Sequence, residues 1–571
     1  MKQYCNVARY KNQIFVRELV EGVEQRRKVK FRPSLFQSTN EKTDWQNFYG
    51  DGYVERRTFD SPFEMKNFVE ENKSIPNEVW GNTDIVSQFI YEGGYDTTDA
   101  QNIKVSYLDI EVCTREKING QWVDGGFPDA QNANFPINAI CDYRPYKKKY
   151  YVFTTAKGWT PKKSQLKYAD EVEYIYCPSE DVLIEKWMRF WEADYPHINS
   201  GWNNKSFDIP YIINRLKRLK GEDFANRISP WRVLTEKKSV GKFGQDIISY
   251  EILGIGIVDY LDLYQKYRYV PREKYTLDYI SRCELPDEHK LEFKGTHGSL
   301  YYDDPVFFVD YNIQDVRCVV KFEEKLQFMN LIIFLSYYSG INFEENFSRI
   351  KIWETLIYRT AADKGIVIPM KPENVAKEPY EGAYVHDPVP GLKGAIASFD
   401  FTSLYPSLMR LYYIAPDVHQ TGQKKAKLYT GLMDTLRSDK SNEATEMFKE
   451  IMETGIFNSY YVNHDLPESV TKFLQENKVS LATNCEFYNI ERESIFIRLI
   501  ADLFAGRKSD KKQSFNYKHK AQDIEQELKK RGTFPEYANL SVEELETQHK
   551  EAKHLANVYD VSQLVKKVLL D

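Results

Sequence analysis

The periodicity of hydrophobic and polar positions changes several times along this chain of 571 residues. Residues 1 to about 100 alternate short apolar runs with turn signals, which predicts a mostly β module. From about 103 to 327, short apolar runs such as 103–112 and 150–154 alternate with helical patterns. This alternation is typical of an α/β domain.

The second half of the chain has mainly helical spacing. Helical periodicity dominates 316–365, and an apolar run at 394–399 predicts a strand that opens the next unit. After about residue 494 the sequence is strongly charged and helical. Ser541 and Glu544 form a capping-box pattern that predicts the start of the last helix. A chain of this length exceeds one hydrophobic core, so we expect three or four domains of the α/β and α+β classes.

The last predicted helix has a start signal but no stop signal. No glycine or polar cap follows its apolar positions, although a cap is common at a helix C-terminus. A frayed terminal helix and a chain divided inside a longer fold both fit this pattern. We expect the second, with an exposed apolar face on this helix that binds a partner chain. The apolar positions are Leu555, Val558, Val561, Val565 and Val568.

Charge and cysteine content narrow the classes of function. The formal net charge of −6 neither indicates nor excludes nucleic-acid binding, because local basic clefts decide phosphate binding. The seven cysteines form no Cys-x-x-Cys pair, which favours a reduced intracellular protein. The longest apolar run, near 331–335, is far too short to span a bilayer, so we expect no membrane association.

Four carboxylates spread over two hundred residues are the main candidate chemistry. Asp109 and Glu111 are two apart in a predicted strand, so both side chains lie on one face and can share a metal. Tyr311 and Asp315 are four apart in a helical stretch and share a helix face. Asp208 precedes Ile-Pro, so it is either a fourth ligand or only a helix N-cap.

Such a set of acids suits phosphodiester hydrolysis. Two divalent ions about 4 Å apart assist that reaction, and hard Mg²⁺ or Mn²⁺ takes oxygen ligands. Tyr311 would orient the attacking water, and Phe127 and Phe207 are candidates to stack on terminal bases. Each piece alone is weak, since a strand Asp-x-Glu is usually a solvated edge pair. The prediction depends on the ordered set.

The three segments that carry these acids, 107–112, 202–208 and 311–315, resemble the exonuclease motifs of family B DNA polymerases. The similarity is closest to the T-even-type bacteriophage replicative polymerases, and 30–36, 258–264 and 275–281 also resemble that family. The resemblance implies a ribonuclease H-like 3′→5′ exonuclease domain. Its metal ligands would be Asp109, Glu111, Asp208 and Asp315, with two ions, and Tyr311 would be catalytic. Phe127, Asn203 and Phe207 would contact DNA.

A second motif, Ser398 to Ser407, points to nucleotide polymerisation. Asp400 follows the apolar run, and its carboxylate and the carbonyl of Phe401 can bind a metal. Taken alone, the motif fits an ordinary strand and turn better. It is similar to motif A of family B polymerases, which implies that Phe401, Leu404 and Tyr405 bind the incoming dNTP and that two ions act there.

Two more segments resemble parts of that family. Tyr380 and Gly382 lie in a segment similar to the template-contacting linker between exonuclease and palm. Arg507, Lys511 and Lys567 match, by position, residues of the fingers that grip the triphosphate. A charge run is usually only a solvated face, which is the alternative for these cations.

Departures from the family pattern lead to the prediction of a second chain. The sequence lacks the family's second aspartate motif, Asp-Thr-Asp after Tyr-Gly, and the Asn-Ser-Leu-Tyr-Gly of the fingers. We expect the N-terminal subunit of a split replicative DNA polymerase, acting on primer-template and single-stranded DNA. A C-terminal chain would supply the remaining palm, the thumb and the sliding-clamp contact, in the cytoplasm of an infected bacterial host.

Domain boundaries follow from the same resemblance. We expect an N-terminal domain at 1–103 and 328–371, an exonuclease domain at 104–327, a partial palm at 372–493 and incomplete helical fingers at 494–571. Two alternatives remain open. One is a stand-alone 3′→5′ exonuclease with a vestigial polymerase half, and the other is a non-catalytic nucleic-acid-binding module.

Overall fold

The structure, a computed structural model, describes most of the chain. The described residues are 2–95, 102–118, 121–124, 126–240, 246–268, 270–293, 297–370, 382, 385–401, 403–439, 443–454, 466–537 and 539–571. Tyr380 lies outside them.

The strands, in chain order, are β1 (Lys2–Tyr10), β2 (Gln13–Val20), β3 (Val23–Val29), β4 (Ser34–Thr39), β5 (Gln46–Asn47), β6 (Tyr53–Thr58), β7 (Val79–Trp80), β8 (Val105–Val112), β9 (Arg115–Ile118), β10 (Gln121–Asp124), β11 (Ile137–Arg144), β12 (Lys149–Thr154), β13 (Val172–Tyr176), β14 (Ile198–Ser200), β15 (Leu234–Val240), β16 (Asp246–Ile252), β17 (Gly256–Ile257), β18 (Ile366–Val367), β19 (Val479–Leu481) and β20 (Phe487–Asn489).

The α-helices are α1 (Pro62–Asn72), α2 (Ile85–Glu92), α3 (Glu180–Ala193), α4 (Asp208–Lys220), α5 (Glu222–Ala225), α6 (Tyr260–Tyr267), α7 (Leu277–Glu284), α8 (His297–Asp303), α9 (Pro305–Leu326), α10 (Phe328–Ser339), α11 (Arg349–Ala362), α12 (Leu404–Tyr412), α13 (Gly422–Ser438), α14 (Glu443–Thr454), α15 (Glu468–Glu476), α16 (Ile495–Lys529) and α17 (Val542–Leu570).

The chain divides into two compact units, each discontinuous in sequence. Unit 1 is Met1–Pro33, Phe59–Lys66 and Asp84–Leu356. Unit 2 is Ser34–Thr58, Asn67–Thr83 and Ile357–Asp571. The mixed α/β, multidomain class predicted from the sequence is confirmed. The predicted domain boundaries stay predictions.

A six-stranded mixed sheet forms the centre of unit 1. Its strand order is β13-β12-β11-β8-β14-β17, with β11 antiparallel to both of its neighbours and the other pairs parallel. Every residue of β11 is buried, as expected for a strand covered on both faces. Helices α3 and α4 pack on the sheet through side chains such as Trp187, Trp191, Ile212 and Leu216.

Helix α9 provides the other functional element of unit 1. The sequence predicted helical spacing from 316 to 365, and the structure breaks this stretch into α9, α10 and α11. Asp304 caps the start of α9, where Pro305 occupies the first turn. Gln327, in the left-handed region with φ of 54°, ends α9 and starts α10.

The N-terminal region is mostly β, as predicted, with α1 and α2 as its helices. Strands β1, β2 and β3 form an antiparallel sheet in unit 1. Tyr4 of β1 donates its hydroxyl to the carbonyls of Ser336 and Ile341, at 3.1 and 2.7 Å, and so ties this sheet to α10.

Unit 2 contains the five-stranded sheet β18-β5-β6-β4-β7 and a long antiparallel helix pair, α16 and α17. The capping box predicted at Ser541 and Glu544 is confirmed. The prediction of an exposed apolar face on α17 is wrong. The side chains of Val561 and Val565 are buried, with exposed fractions of 3% and 1%. A helix that pairs with a neighbour along its length buries its apolar stripe there.

The prediction of a strand at 394–399 is also wrong. These residues belong to no strand of the described chain, and all of 385–401 is solvent-exposed. A strand exists only when its backbone N–H and C=O groups pair with a neighbour, and no described residue pairs with this segment. Asp400 therefore stands on an exposed stretch that belongs to no strand or helix of the described residues.

Candidate active site

The carboxylates of Asp109 and Glu111 lie together with that of Asp315. Asp109 and Glu111 alternate with buried Leu108, Ile110 and Val112 on β8, so both point to the same side of the sheet. One carboxylate oxygen from each of the three residues lies within 4.8 Å of the others. The spacing found in the sequence therefore produces a compact acidic cluster.

Helix α9 brings three side chains to this cluster. Asp315 and Tyr311 are one turn apart and both buried. Asn312, on the same two turns, donates Nδ2 to Asp109 Oδ2 at 2.8 Å. Sequence reasoning missed Asn312, although its position three residues before Asp315 placed it on the same helix face.

Asp208, on α4, is not one of the three residues whose carboxylate oxygens lie within 4.8 Å of one another, but it contacts the strand between two of them, and its interpretation as an N-cap is wrong. Phe207 is the N-cap, and Asp208 is the first helical residue. Its Oδ1 accepts a hydrogen bond of 3.0 Å from the backbone N–H of Ile110, between Asp109 and Glu111. The carboxylate is thus held against β8 instead of closing its own helix.

The loop before α4 is fixed by a buried carboxylate outside the cluster. Asp259 accepts hydrogen bonds from the backbone N–H groups of Asn203 and Lys205, at 2.9 and 3.0 Å, and caps α6 through Leu261. A Cβ on Gly201 would lie 2.4 Å from the carbonyl oxygen of Leu108. A glycine and an aspartate therefore set where α4 begins.

The electrostatics of the cluster favour a bound cation. Burial raises the pKa of all four carboxyl groups, and the charges of Asp208, Asp315 and Glu111 raise that of Asp109 further. For Glu111, burial and then the charge of Asp315 raise the pKa to about 8. Like charges held this close oppose ionisation unless positive charge compensates them.

Lys290 supplies part of that positive charge. Its Nζ contacts Asp315 Oδ2 and lies 4.5 Å from the centroid of the Tyr311 ring. The ion pair lowers the pKa of Asp315 against the raising effect of burial. No pattern in the sequence points to Lys290, because it lies between α7 and α8 with no fixed spacing to the acids.

The residues present fit hard divalent cations. The ligand set is made only of carboxylate oxygens, the donors that Mg²⁺ and Mn²⁺ prefer. Asp315 Oδ1 is buried and has no hydrogen-bond partner among the described residues. A buried carboxylate oxygen left in this way is destabilising unless a ligand satisfies it.

Aromatic side chains lie beside the residues that carry the acids. The rings of Phe127 and Phe207 are 5.4 Å apart, and Phe127 is 86% exposed. Asn203 is exposed and has a left-handed backbone with φ of 66°. Phe293, which sequence reasoning missed, packs edge-on against Tyr311 at 5.3 Å.

The residues predicted to form the polymerase site do not lie in a largely buried cluster as the exonuclease acids do. Asp400 and Phe401 stand on the exposed stretch described above, and Phe401 is 78% exposed. Leu404 and Tyr405 begin α12, and both are exposed. Gly382 is exposed, with open space around its Cα.

The predicted fingers cations lie on the helix pair of unit 2. Arg507 and Lys511 are one turn apart on α16, and Lys567 is on α17. The neighbouring Lys566 contacts Asp510 across the pair, and its side chain fills the space where a Cβ on Gly506 would lie. The two helices thus approach closely beside these cations.

Comparisons with known proteins agree with this geometry. The family model described as DNA polymerase family B, exonuclease domain, matches residues 83–280, and that of DNA polymerase family B matches 345–529. Together the two matches cover most of the chain, with the acids Asp109, Glu111 and Asp208 inside the first. The chain belongs to DNA polymerase family B.

Among curated relatives, the chain is similar to two phage enzymes named DNA-directed DNA polymerase. It is 32% identical to that of Escherichia phage RB69 over 83% of this chain and 53% of the relative. It is 30% identical to that of Enterobacteria phage T4 over 72% of this chain and 47% of the relative. The chain therefore spans about half the length of these relatives.

Proposed function

We propose that this chain hydrolyses DNA stepwise from a 3′ end, as a two-metal 3′→5′ exonuclease of the ribonuclease H-like class. The observation that carries the proposal is the cluster of Asp109, Glu111 and Asp315, of which the last two are buried, with Asp208 bound to the strand between the first two. It lies on a mixed sheet of an exonuclease-family domain.

Residues around the cluster have separate roles in this proposal. Asp109, Glu111, Asp208 and Asp315 hold two divalent ions, Mg²⁺ or Mn²⁺. Such ions supply charge neutralisation and a nucleophilic water to phosphodiester hydrolysis. Tyr311 orients the water, and Asn312 fixes the rotamer of Asp109 through its 2.8 Å hydrogen bond.

The terminal base would be held by the aromatic pair. Phe127 and Phe207 offer adjacent ring faces, and stacking on an aromatic side chain contributes about 1–3 kcal/mol per base. Asn203, exposed at the start of the same loop, would contact the terminal nucleotide. Stacking on rings accepts any base, as removal of a mispaired 3′ end requires.

A gel with a 5′-labelled primer-template tests this activity. In Mg²⁺ the chain is expected to shorten the primer from its 3′ end, and Asp109→Ala should abolish shortening. Glu173→Gln, an exposed acid on β13, is the matched control and should behave as the parent chain. A primer that keeps its length with the folded parent chain would contradict the proposal.

For the other half of the chain, we propose that Asp400 and the carbonyl of Phe401 contribute ligands to the two ions of a polymerase site that further carboxylates complete. Leu404, Tyr405, Arg507, Lys511 and Lys567 would bind the dNTP, and Tyr380 and Gly382 the template. Support comes from the family match to residues 345–529. The domains would be those expected from the sequence: N-terminal domain, exonuclease, partial palm and fingers.

Polymerisation needs further carboxylates, which we propose a second chain supplies. Residues 1–571 contain no Asp-Thr-Asp motif, and the Asp400 segment is exposed and unpaired among the described residues. That second chain would carry the remaining palm, the thumb and the sliding-clamp contact, in the cytoplasm of a phage-infected bacterium. Within the described residues, no helix is long and apolar enough to cross a membrane.

Mixing this chain with the polypeptide encoded downstream tests whether a second chain completes the polymerase site. The polypeptide encoded downstream should co-elute with this chain, and primer lengthening should require both. Shortening without lengthening in the mixture would favour the second candidate, a stand-alone exonuclease. The observation favouring that candidate is that the exonuclease acids are gathered while Asp400 remains exposed.

A further inference from the structure

The loop between β12 and β13 carries a net positive charge. Residues 155–171 include four lysines and two acidic residues, Asp170 and Glu171 at the β13 end, whereas the whole chain has a net charge of −6. All four side chains are solvent-exposed. Among the residues that the structure describes, none of the four ammonium groups forms an ion pair, although Lys157 lies 5.9 Å from the Tyr176 ring. The four are Lys157, Lys162, Lys163 and Lys167, and the loop that carries them is called here the lysine loop.

The loop leaves the sheet at the edge that carries the acidic cluster. Strands β8 and β12 run parallel to each other, because both are antiparallel to β11 between them. Ala139 of β11 pairs with Glu111 on one side and with Thr154 on the other. Adjacent strands are about 4.8 Å apart, so the last residue of β12 lies about 10 Å from Glu111.

Helix α9 holds the loop rigidly. Asp310, 1% exposed, accepts hydrogen bonds from Trp159 Nε1 at 2.7 Å, Ser164 Oγ at 2.6 Å and the Gln165 N–H at 3.0 Å. Gln314, one turn on, accepts from the Tyr168 hydroxyl at 2.5 Å. A buried carboxylate with three donors is a strong anchor, so the lysines project from a fixed backbone.

The same two turns of α9 also carry side chains of the cluster. Tyr311 and Asp315 follow Asp310 and Gln314 by one residue each, so the two pairs form adjacent stripes on the helix. A helix with its side chains is about 10–12 Å across. The part of the loop that contacts α9 therefore lies within about one helix diameter of Tyr311 and Asp315.

We propose that the lysine loop binds the phosphodiester backbone of the DNA single strand whose 3′ end enters the acidic cluster. The inference rests on the proposed exonuclease function, because that function sets which strand is bound. Unpaired cations on a fixed loop attract phosphates without reading bases. They also offset the repulsion that the acids exert on DNA over about a Debye length, 10 Å at 0.1 M salt.

The test compares two variants that lose the same charge. The first replaces Lys157, Lys162, Lys163 and Lys167 with Gln. The control replaces Lys30, Lys42, Lys66 and Lys148, which are also exposed and form no ion pair among the described residues. Affinity for a labelled oligodeoxythymidine is measured by fluorescence anisotropy over a salt series, with a chelator present so that no strand is cut.

The loop variant is expected to bind about tenfold more weakly or worse at low salt, and the control to bind as the parent chain does. Counterion release gives a slope of about −0.7 per phosphate contact for single strands, so the salt dependence should flatten by about two to three. Equal weakening in both variants, or an unchanged slope in the loop variant, would overturn the proposal.

Hydrolysis then separates the loop from the catalytic chemistry. With Mg²⁺ restored, the loop variant should have a KM raised about tenfold and an unchanged kcat at saturating strand. A lowered kcat with an unchanged KM would overturn the proposal. If the parent chain cuts no DNA, the proposed function fails, but the anisotropy result still decides whether the loop binds the strand.

Discussion

The acidic cluster of unit 1 and the Asp400 segment of unit 2 both carry carboxylates predicted to bind metal ions. The carboxylates of the cluster are held close together, whereas Asp400 is exposed. In the cluster, strand β8 lies between two paired neighbours, and α4 and α9 bring further acids to it. Asp400 lies on an exposed stretch with no strand beside it among the described residues. A motif becomes a site only when its backbone is paired and its side chains are held.

The largest difference should appear in hydrolysis. Glu111→Gln removes one buried charge of the cluster and is expected to slow 3′→5′ hydrolysis by about 1000-fold or more, roughly 4 kcal/mol of transition-state stabilisation. Asp400→Asn should leave the rate unchanged. Single-turnover cleavage of a labelled strand measures both, and equal effects of the two variants would break the comparison.

The next largest difference should appear in how leucine substitutions in the two regions change the free energy of unfolding. Leu216→Ala on α4 empties a fully buried position and should lower the free energy of unfolding by about 3 kcal/mol. Leu411→Ala on α12, 71% exposed, should change it by less than about 0.5 kcal/mol. Urea unfolding followed by circular dichroism measures both. A large loss in the Leu411 variant would mean that α12 is covered in solution.

A residue that only orients a metal ligand should have a smaller effect on activity. Asn312→Ala removes the 2.8 Å hydrogen bond to Asp109 and should reduce activity about 10- to 100-fold, the range for residues that orient metal ligands. More Mg²⁺ should restore part of the loss. Glu324→Ala, an exposed position on α9, serves as the control. If activity stays at the parent level, Asn312 does not orient Asp109.

The smallest effect is a dependence of stability on pH. Folding raises the pKa of Glu111 to about 8, so between its unfolded value near 4.5 and about 8 the folded state binds more protons. Without metal, the contribution of this group to stability therefore falls as pH rises through that window. Bound Mg²⁺ should counter this fall.

Melting curves with Mg²⁺ and with a chelator measure the pH effect. The Mg²⁺-induced rise in Tm should be larger at pH 8 than at pH 6, because binding to the native state stabilises it and ionised ligands bind better. Glu111→Gln should remove most of the rise, and Asp400→Asn none of it. A rise that is equal at both pH values would contradict the pKa shift.

Sequence patterns located most of the acids because strands and helices have fixed periods. The two-residue spacing of Asp109 and Glu111 and the four-residue spacing of Tyr311 and Asp315 each specify one face. Lys290 was missed because a loop has no period. The strand at 394–399 was predicted wrongly because an apolar run shows that a segment can pair, while pairing itself depends on residues far away in sequence.

The loop before α4 has a consequence for genetics. Asp259 and Gly201 touch no substrate in the proposed reaction, yet they set the position of Asp208 through the Asn203 and Lys205 amides and the close approach to Leu108. A random screen for loss of 3′→5′ hydrolysis should therefore recover alleles at these two codons as well as at the four acids. The mutational target for loss of this hydrolysis is therefore larger than the set of proposed metal ligands.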